Sequence, residues 1–261
     1  MKIGLVWFTL VLGLFADEGA LKHLSGAKRS SPVNDLSFEN TQRWAPEFRA
    51  WTKRKPRFLA VGWRQRLVVA APAENASLRS YEELDYLSRL VSERDDRQKQ
   101  IQEEILVDQF RLGNWRYGDL LASRKHPETA KLLKWAYFDM AVVTFVFKER
   151  FDRVRPSHLS AALGRPLRSS IEVPNHPSYP SGHAVGAYTL AYLLSELDPA
   201  NRECYWESAA EIGRNREVAG VHYPSDTEAG RQLARQLVDV LLENPDFSRQ
   251  FQKAKQEWHR E

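Results

Sequence analysis

From Ser77 to the end of the chain, apolar positions recur every three to four residues, and no stretch alternates long enough with a period of two to demand a sheet. Leu84, Leu87, Leu90 and Val91 form the first stripe, with Ser80 placed to cap a helix carrying Glu83 near its start. Ile101, Ile105, Leu106 and Phe110 form a second after the polar stretch 92–99. A turn fits 113–118, and Pro127 opens the strongest helix, rich in Leu132, Leu133, Trp135, Phe138, Val142, Val143 and Phe147. Further helices fit 184–197, about 201–219 and 226–243. This pattern predicts an all-α protein.

Before Ser77 the pattern changes twice. Residues 1–20 carry Lys2, an apolar run from Ile3 to Phe15, then Asp17 and Glu18, the layout of an export signal. The run is shorter than the ~20 residues that span a bilayer, and no clean small-x-small cleavage site follows it, so 1–20 reads as a signal peptide or an N-terminal anchor. The expected address is periplasmic or secreted. Residues 21–76 form an arm whose stretch 41–70 holds eight basic residues against Glu47 alone, a balance of +7 in a chain of net +4. Trp44, Trp51, Phe58 and Trp63 are interleaved with those charges, and four prolines between 32 and 72 predict loops. The first expectation is a solvated basic face packed on the domain by its aromatics; the second is peripheral membrane contact through 41–70. Nucleic acid is not expected as a partner. At 43% hydrophobic, 261 residues bury a full core, and residues 77–261 are expected to be one domain. A single Cys204 excludes an internal disulfide framework.

The chemistry gathers in three places. Lys148 lies seven residues before Arg155-Pro156, two turns along if the helix continues, so the two cations would share a face. Ser181-Gly182-His183 opens an apolar helical run after a Pro-rich loop. That junction aims backbone N–H groups and a positive helix end at one point, a ready anion site. Arg216, His222 and Asp226 follow on later segments. Three cations suit the outer oxygens of a phosphoryl group in transfer. His222 is then a candidate nucleophile oriented by Asp226, and His183 a candidate acid for the leaving oxygen. Each residue also has a plain structural role open to it: a basic helix end for Lys148 and Arg155, a packed loop histidine for His222, a helix start for Asp226. The plain roles leave the joint register of three cations and two histidines unexplained.

Lys148 with Arg155-Pro156, then Pro180-Ser181-Gly182-His183, then Arg216 with His222 and Asp226 resemble the three-part signature of the type 2 phosphatidic acid phosphatase (PAP2) superfamily. Residues 178–184, 220–226 and the tail from Asn244 look most like bacterial class A non-specific acid phosphatases. The resemblance implies a helical bundle of the acid phosphatase/vanadium haloperoxidase type. It also implies a metal-independent acid phosphatase acting on small phosphate monoesters through a phosphohistidine intermediate. In that family Lys148, Arg155, Ser181, Gly182 and Arg216 would bind phosphate, His183 would be the acid, and His222 with Asp226 the nucleophile pair. No cofactor is implied; vanadate would inhibit, or would be the cofactor if the chain were a haloperoxidase instead. A lipid phosphatase at a membrane surface is the other alternative. One departure stands out: the family's usual Ser before the third-motif Arg is Asn215 here.

Overall fold

The computed structural model describes residues 32–106 and 126–258, so residues 1–20, expected to be a signal peptide or anchor, the turn expected at 113–118 and Phe110 lie outside the described residues. All the regular elements among the described residues are helical. The longer ones are α1 (Leu78–Arg89), α2 (Arg94–Leu106), α3 (Pro127–Phe151), α4 (Pro156–Ala162), α5 (Gly182–Leu197), α6 (Arg202–Val218), α7 (Pro224–Glu243) and α8 (Pro245–Trp258). Among the described residues no helix is long and apolar enough to cross a membrane.

α5 is the central element. Its sequence is apolar almost all round, the pattern of a helix without a solvent face, and it packs against α3, α6 and α7. Gly230 on α7 makes the closest approach possible: a Cβ there would lie 2.8 Å from Ala184 Cβ and 3.0 Å from Ser181 O. Ala at 230 would push α7 away from the first turn of α5, which is where the signature residues sit.

Local chemistry moves several expected boundaries. The first cap is Ser77, whose side chain accepts from the Ser80 N–H, so Ser80 sits inside α1. A short 3-10 turn at Leu90–Glu93 leads into α2, which takes up most of the polar stretch. Pro224 and not Asp226 opens α7, after Tyr223. The tail forms α8, a helix that the periodicity had not predicted; one face buries Phe247, Phe251 and Ala254.

The largest revision lies between Lys148 and Arg155. α3 stops at Phe151, and Asp152 takes a left-handed conformation (φ 42°) whose N–H returns to Lys148 O at 2.9 Å. Arg153 and Val154 are non-helical, and Arg155 is the N-cap of α4. The two cations therefore converge through a sharp reversal and not through a shared helix face. Asp tolerates the left-handed region better than most residues.

The arm is not loop throughout. Prolines punctuate single helical turns at Phe38–Thr41, Pro46–Arg49, Ala50–Lys53 and Trp63–Arg66. Trp44, Trp51, Phe58 and Trp63 are all buried, and Phe58, Leu59, Trp63, Leu67 and Val69 join the same apolar cluster as α3, α5, α7 and α8. Asp139, buried in the middle of α3, fixes the arm by accepting the N–H groups of Arg57 (2.6 Å) and Phe58 (2.8 Å). All eight basic side chains of 41–70 remain exposed. Arg54 and Arg57 lie over the Trp51 and Phe58 rings, so charge covers aromatic faces that would otherwise meet water.

Candidate active site

A cavity of about 380 Å³ opens where α3, α5 and α6 meet the loop 171–176. Lys148, Gly182, His183, Arg216 and His222 line it directly. Arg155, Ser181 and Asp226 stand immediately behind. Thus all eight signature residues come together, five at the wall and three in support.

The supporting contacts set the protonation of His222. Arg155 Nη1 lies 3.2 Å from His222 Nε2, and Asp226 Oδ2 lies 2.9 Å from Nδ1. A guanidinium only donates, so Nε2 must accept; the ring proton therefore sits on Nδ1 and is donated to Asp226. The Nε2 lone pair accepts from Arg155 Nη1, so that donor must give way before Nε2 can attack a group bound in the cavity. Burial and the Arg155 and Lys148 charges hold the His222 pKa well below its ordinary value, which keeps that lone pair unprotonated.

Lys148 and Arg155 are both fully buried. Lys148 donates to Pro177 O (2.7 Å) and Ser178 O (3.0 Å). Arg155 donates to His176 O (2.8 and 2.9 Å) and Val221 O (2.7 Å), besides its contacts with the His222 and His176 rings. Neither is ion-paired among the described residues. Burial and the neighbouring Arg155 charge push the Lys148 pKa far down. Two buried cations that lack a carboxylate are costly to the fold, and an anion seated between them would relieve that cost.

Arg216 is anchored from one side only. It pairs with the buried Glu104 of α2 and donates to Ile101 O at 3.1 Å, while its Nε is buried with no hydrogen-bond partner among the described residues. Asn215 supports this pair: its amide donates to Glu104 Oε1 at 2.6 Å and its oxygen accepts from Arg97 at 2.9 Å. The residue that departs from the family's Ser thus holds the carboxylate that holds Arg216. Ser181 is the N-cap of α5, accepting the Ala184 N–H at 3.4 Å. Gly182 and His183 carry the first N–H groups of that helix to the cavity wall.

His183 shows part of its ring to the cavity and is otherwise walled in. Burial, then the charge of Arg216, lower its pKa to about 3, against the pull of a hydrogen bond to the Glu104 backbone. An anion among these cations reverses the electrostatic part of the shift. We expect phosphate to bind with uptake of a proton near pH 6, and its affinity to fall as pH rises. Calorimetry in buffers of different ionisation enthalpy measures the uptake; a heat independent of buffer would remove His183 and Lys148 from the coupling.

Sequence reasoning passed over four residues. Arg153, just past the end of α3, is buried and bridges Asp226 Oδ1 (2.5 Å), Ser225 Oγ (2.8 Å) and Glu83 Oε2 (2.9 Å). Glu83 had been read as an ordinary first-turn acid. Glu104 and His176 had no local signal at all, because their partners lie far away in sequence. Among the described residues no cluster of three or more His, Cys, Asp or Glu side chains is arranged to hold a metal ion.

The PAP2 superfamily model matches residues 132–241, which run from the second turn of α3 to the last turn of α7 and include every signature residue. The stretch of this chain that carries the signature is thus similar to the PAP2 superfamily. A non-specific acid phosphatase of Providencia stuartii is 32% identical over 143 residues, 54% of this chain and 58% of that protein. A non-specific acid phosphatase of Salmonella typhimurium is 34% identical over 80 residues, 31% of this chain and 32% of that one. The match thus spans less than two thirds of either relative. The crystal structure of a bacterial vanadium-dependent iodoperoxidase aligns with a TM-score of 0.58 at 18% identity, over 81% of this chain and 62% of its own. The all-helical fold of this chain is thus similar to that of the iodoperoxidase.

Proposed function

We propose that the protein is a metal-independent acid phosphatase hydrolysing phosphate monoesters through a phosphohistidine. The observation that carries this reading is the pair of fully buried cations, Lys148 and Arg155, beside the unprotonated Nε2 of His222. The ester's phosphoryl oxygens would lie among Lys148, Arg155, Arg216 Nε and the first N–H groups of α5. The Nε2 lone pair would form the N–P bond as the P–O ester bond breaks, and His183 would give its proton to the departing alcohol oxygen. In the second half His183 would take a proton from water as that water attacks phosphorus, releasing phosphate and restoring His222.

His183 is neutral in the empty pocket, so the proton it delivers would enter with the substrate. A monoester's second pKa is near 6, so the monoanion brings a proton below that pH. Activity is therefore expected on the acid side of neutral and to fall as pH rises through that value.

The test is hydrolysis of p-nitrophenyl phosphate at pH 5 to 6 in chelator, with vanadate as inhibitor and bromide peroxidation by vanadate-loaded protein assayed in parallel. Chelator-resistant hydrolysis supports the reading; peroxide-dependent bromination without hydrolysis replaces it with a haloperoxidase. His183→Ala should slow alkyl esters by roughly 10²–10⁴-fold and nitrophenyl esters far less, since nitrophenolate leaves without a proton. Equal losses on both would overturn the acid's assignment.

Export to the periplasm or beyond follows from the leader-like residues 1–20, and secretion of a tagged full-length chain tests it. The exposed cations of 41–70, with the fully exposed Val61 among them, are the proposed contact to an anionic membrane surface. Vesicle sedimentation that does not weaken with salt would reject that contact.

A further inference from the structure

The cavity is polarised from end to end. On α3, residues 137, 140, 141, 144, 145 and 148 face it at helical spacing, and Lys148 is the last of them. The earlier positions are Tyr137, Met140, Ala141, Thr144 and Phe145. On α5 the order reverses with chain direction: Gly182 and His183 come first, then Gly186, Ala187 and Leu190. On α6, Ile212 precedes Arg216 by one turn. Three helices therefore place charge at one end of the cavity and apolar surface at the other. At 1.5 Å per residue, the apolar part of α5 extends roughly 10 Å beyond His183.

The two apolar walls meet. A Cβ added at Gly186 would lie 3.3 Å from Met140 Cε and 3.8 Å from Tyr137 Cε2. The Thr144 hydroxyl between them is turned to its own helix, donating to Met140 Sδ at 3.5 Å. Glu104 is taken up by Arg216 and Asn215. Glu172 and Asn175 are exposed. A polyhydroxylated alcohol bound here would lose water from its hydroxyls with few partners in return.

We propose that the preferred substrate is a soluble phosphate monoester whose alcohol is apolar, a short alkyl or aryl group, and that sugar phosphates and nucleotides are poor substrates. This rests on the phosphatase reading above. The test compares kcat/KM for ethyl, butyl, hexyl and octyl phosphate with glycerol 1-phosphate. All are esters of primary alcohols, so the leaving-group chemistry varies little across the series. Expected is a rise of roughly three- to four-fold per buried methylene over the first several carbons, and at least a ten-fold deficit for glycerol 1-phosphate against butyl phosphate. Gly186→Leu, which fills the apolar end, should lower hexyl phosphate at least ten-fold more than ethyl phosphate.

Binding of the matching alkyl phosphonates to the unaltered protein reads the same wall without turnover, and remains decisive if the variant does not fold. Hydrolysis of every ester with no dependence on chain length overturns the proposal and leaves the phosphatase standing. No hydrolysis of any ester, with phosphonate affinity still rising with chain length, rejects the phosphatase and keeps the apolar site. A preference confined to phosphatidic acid in vesicles overturns the soluble ester in favour of a lipid source.

Discussion

His222→Ala is expected to hydrolyse p-nitrophenyl phosphate at no more than roughly 10⁻⁴ of the parent rate, because it removes the only lone pair that the site prepares for attack. That preparation is visible in three contacts. Asp226 takes the Nδ1 proton, Arg155 occupies the Nε2 direction as a donor, and burial among cations keeps the ring neutral. The nearby hydroxyls are engaged elsewhere: Ser181 caps α5 and Thr144 donates to Met140 Sδ. Rapid-quench trapping of an acid-labile, base-stable phosphoprotein from the parent, absent from the variant, identifies the covalent step. Binding should survive the substitution: Lys148, Arg155 and Arg216 remain, so inorganic phosphate should bind the variant within about ten-fold of the parent. A variant that retains one hundredth of the parent activity would show that the attacking group is another residue or water.

The helices and the signature were legible in the sequence because both are written locally. Apolar residues at three- and four-residue spacing define α1, α3, α5 and α7, and a Pro at the first position fixes where α3 begins. The eight signature residues could be grouped by a pattern already associated with one chemistry. The turn between Lys148 and Arg155 was not legible, since an Asp in a left-handed conformation carries no sequence mark that separates it from an Asp inside a helix. Nor was α8, whose periodic face is carried by only three buried apolar residues. The arm was ambiguous for a physical reason: aromatics among cations serve a membrane surface or a cation-covered packing face equally well. Asp139 and the α3 aromatics, eighty or so residues away, decide that the aromatics pack inward. The same distance hid Glu104 and Glu83. Their partners, Arg216 and Arg153, sit on segments that only the fold brings near.

Arg153→Met should lower stability more than any other change near the site, by about 3–5 kcal/mol, and the melting temperature by roughly 10 °C or more. Among the described residues Arg153 is the one cation placed between two buried carboxylates, Glu83 and Asp226, and it lies 3.8 Å over the Tyr223 ring. Methionine fills much of its volume but leaves both carboxylates without their counter-charge in a dry interior. The catalytic effect follows from the same geometry. Asp226 Oδ2 still accepts from His222 Nδ1 and the Tyr223 N–H, but Oδ1 loses its anchor, so the carboxylate can rotate or take up a proton. A loss of about 10–100-fold in kcat is expected, the range for a group acting through a catalytic residue's partner. Two controls separate orientation from simple loss of fold. Adding Glu83→Gln to Arg153→Met removes one orphaned charge, so the double variant should be more stable than the single, while kcat stays low. Arg153→Lys keeps the charge but not the planar fork that reaches Asp226, Ser225 and Glu83 together, so it should recover part of the stability and little of the rate. If Arg153→Met melted within 2 °C of the parent, the Glu83–Arg153–Asp226 bridge would not be what holds the nucleophile's partner in place.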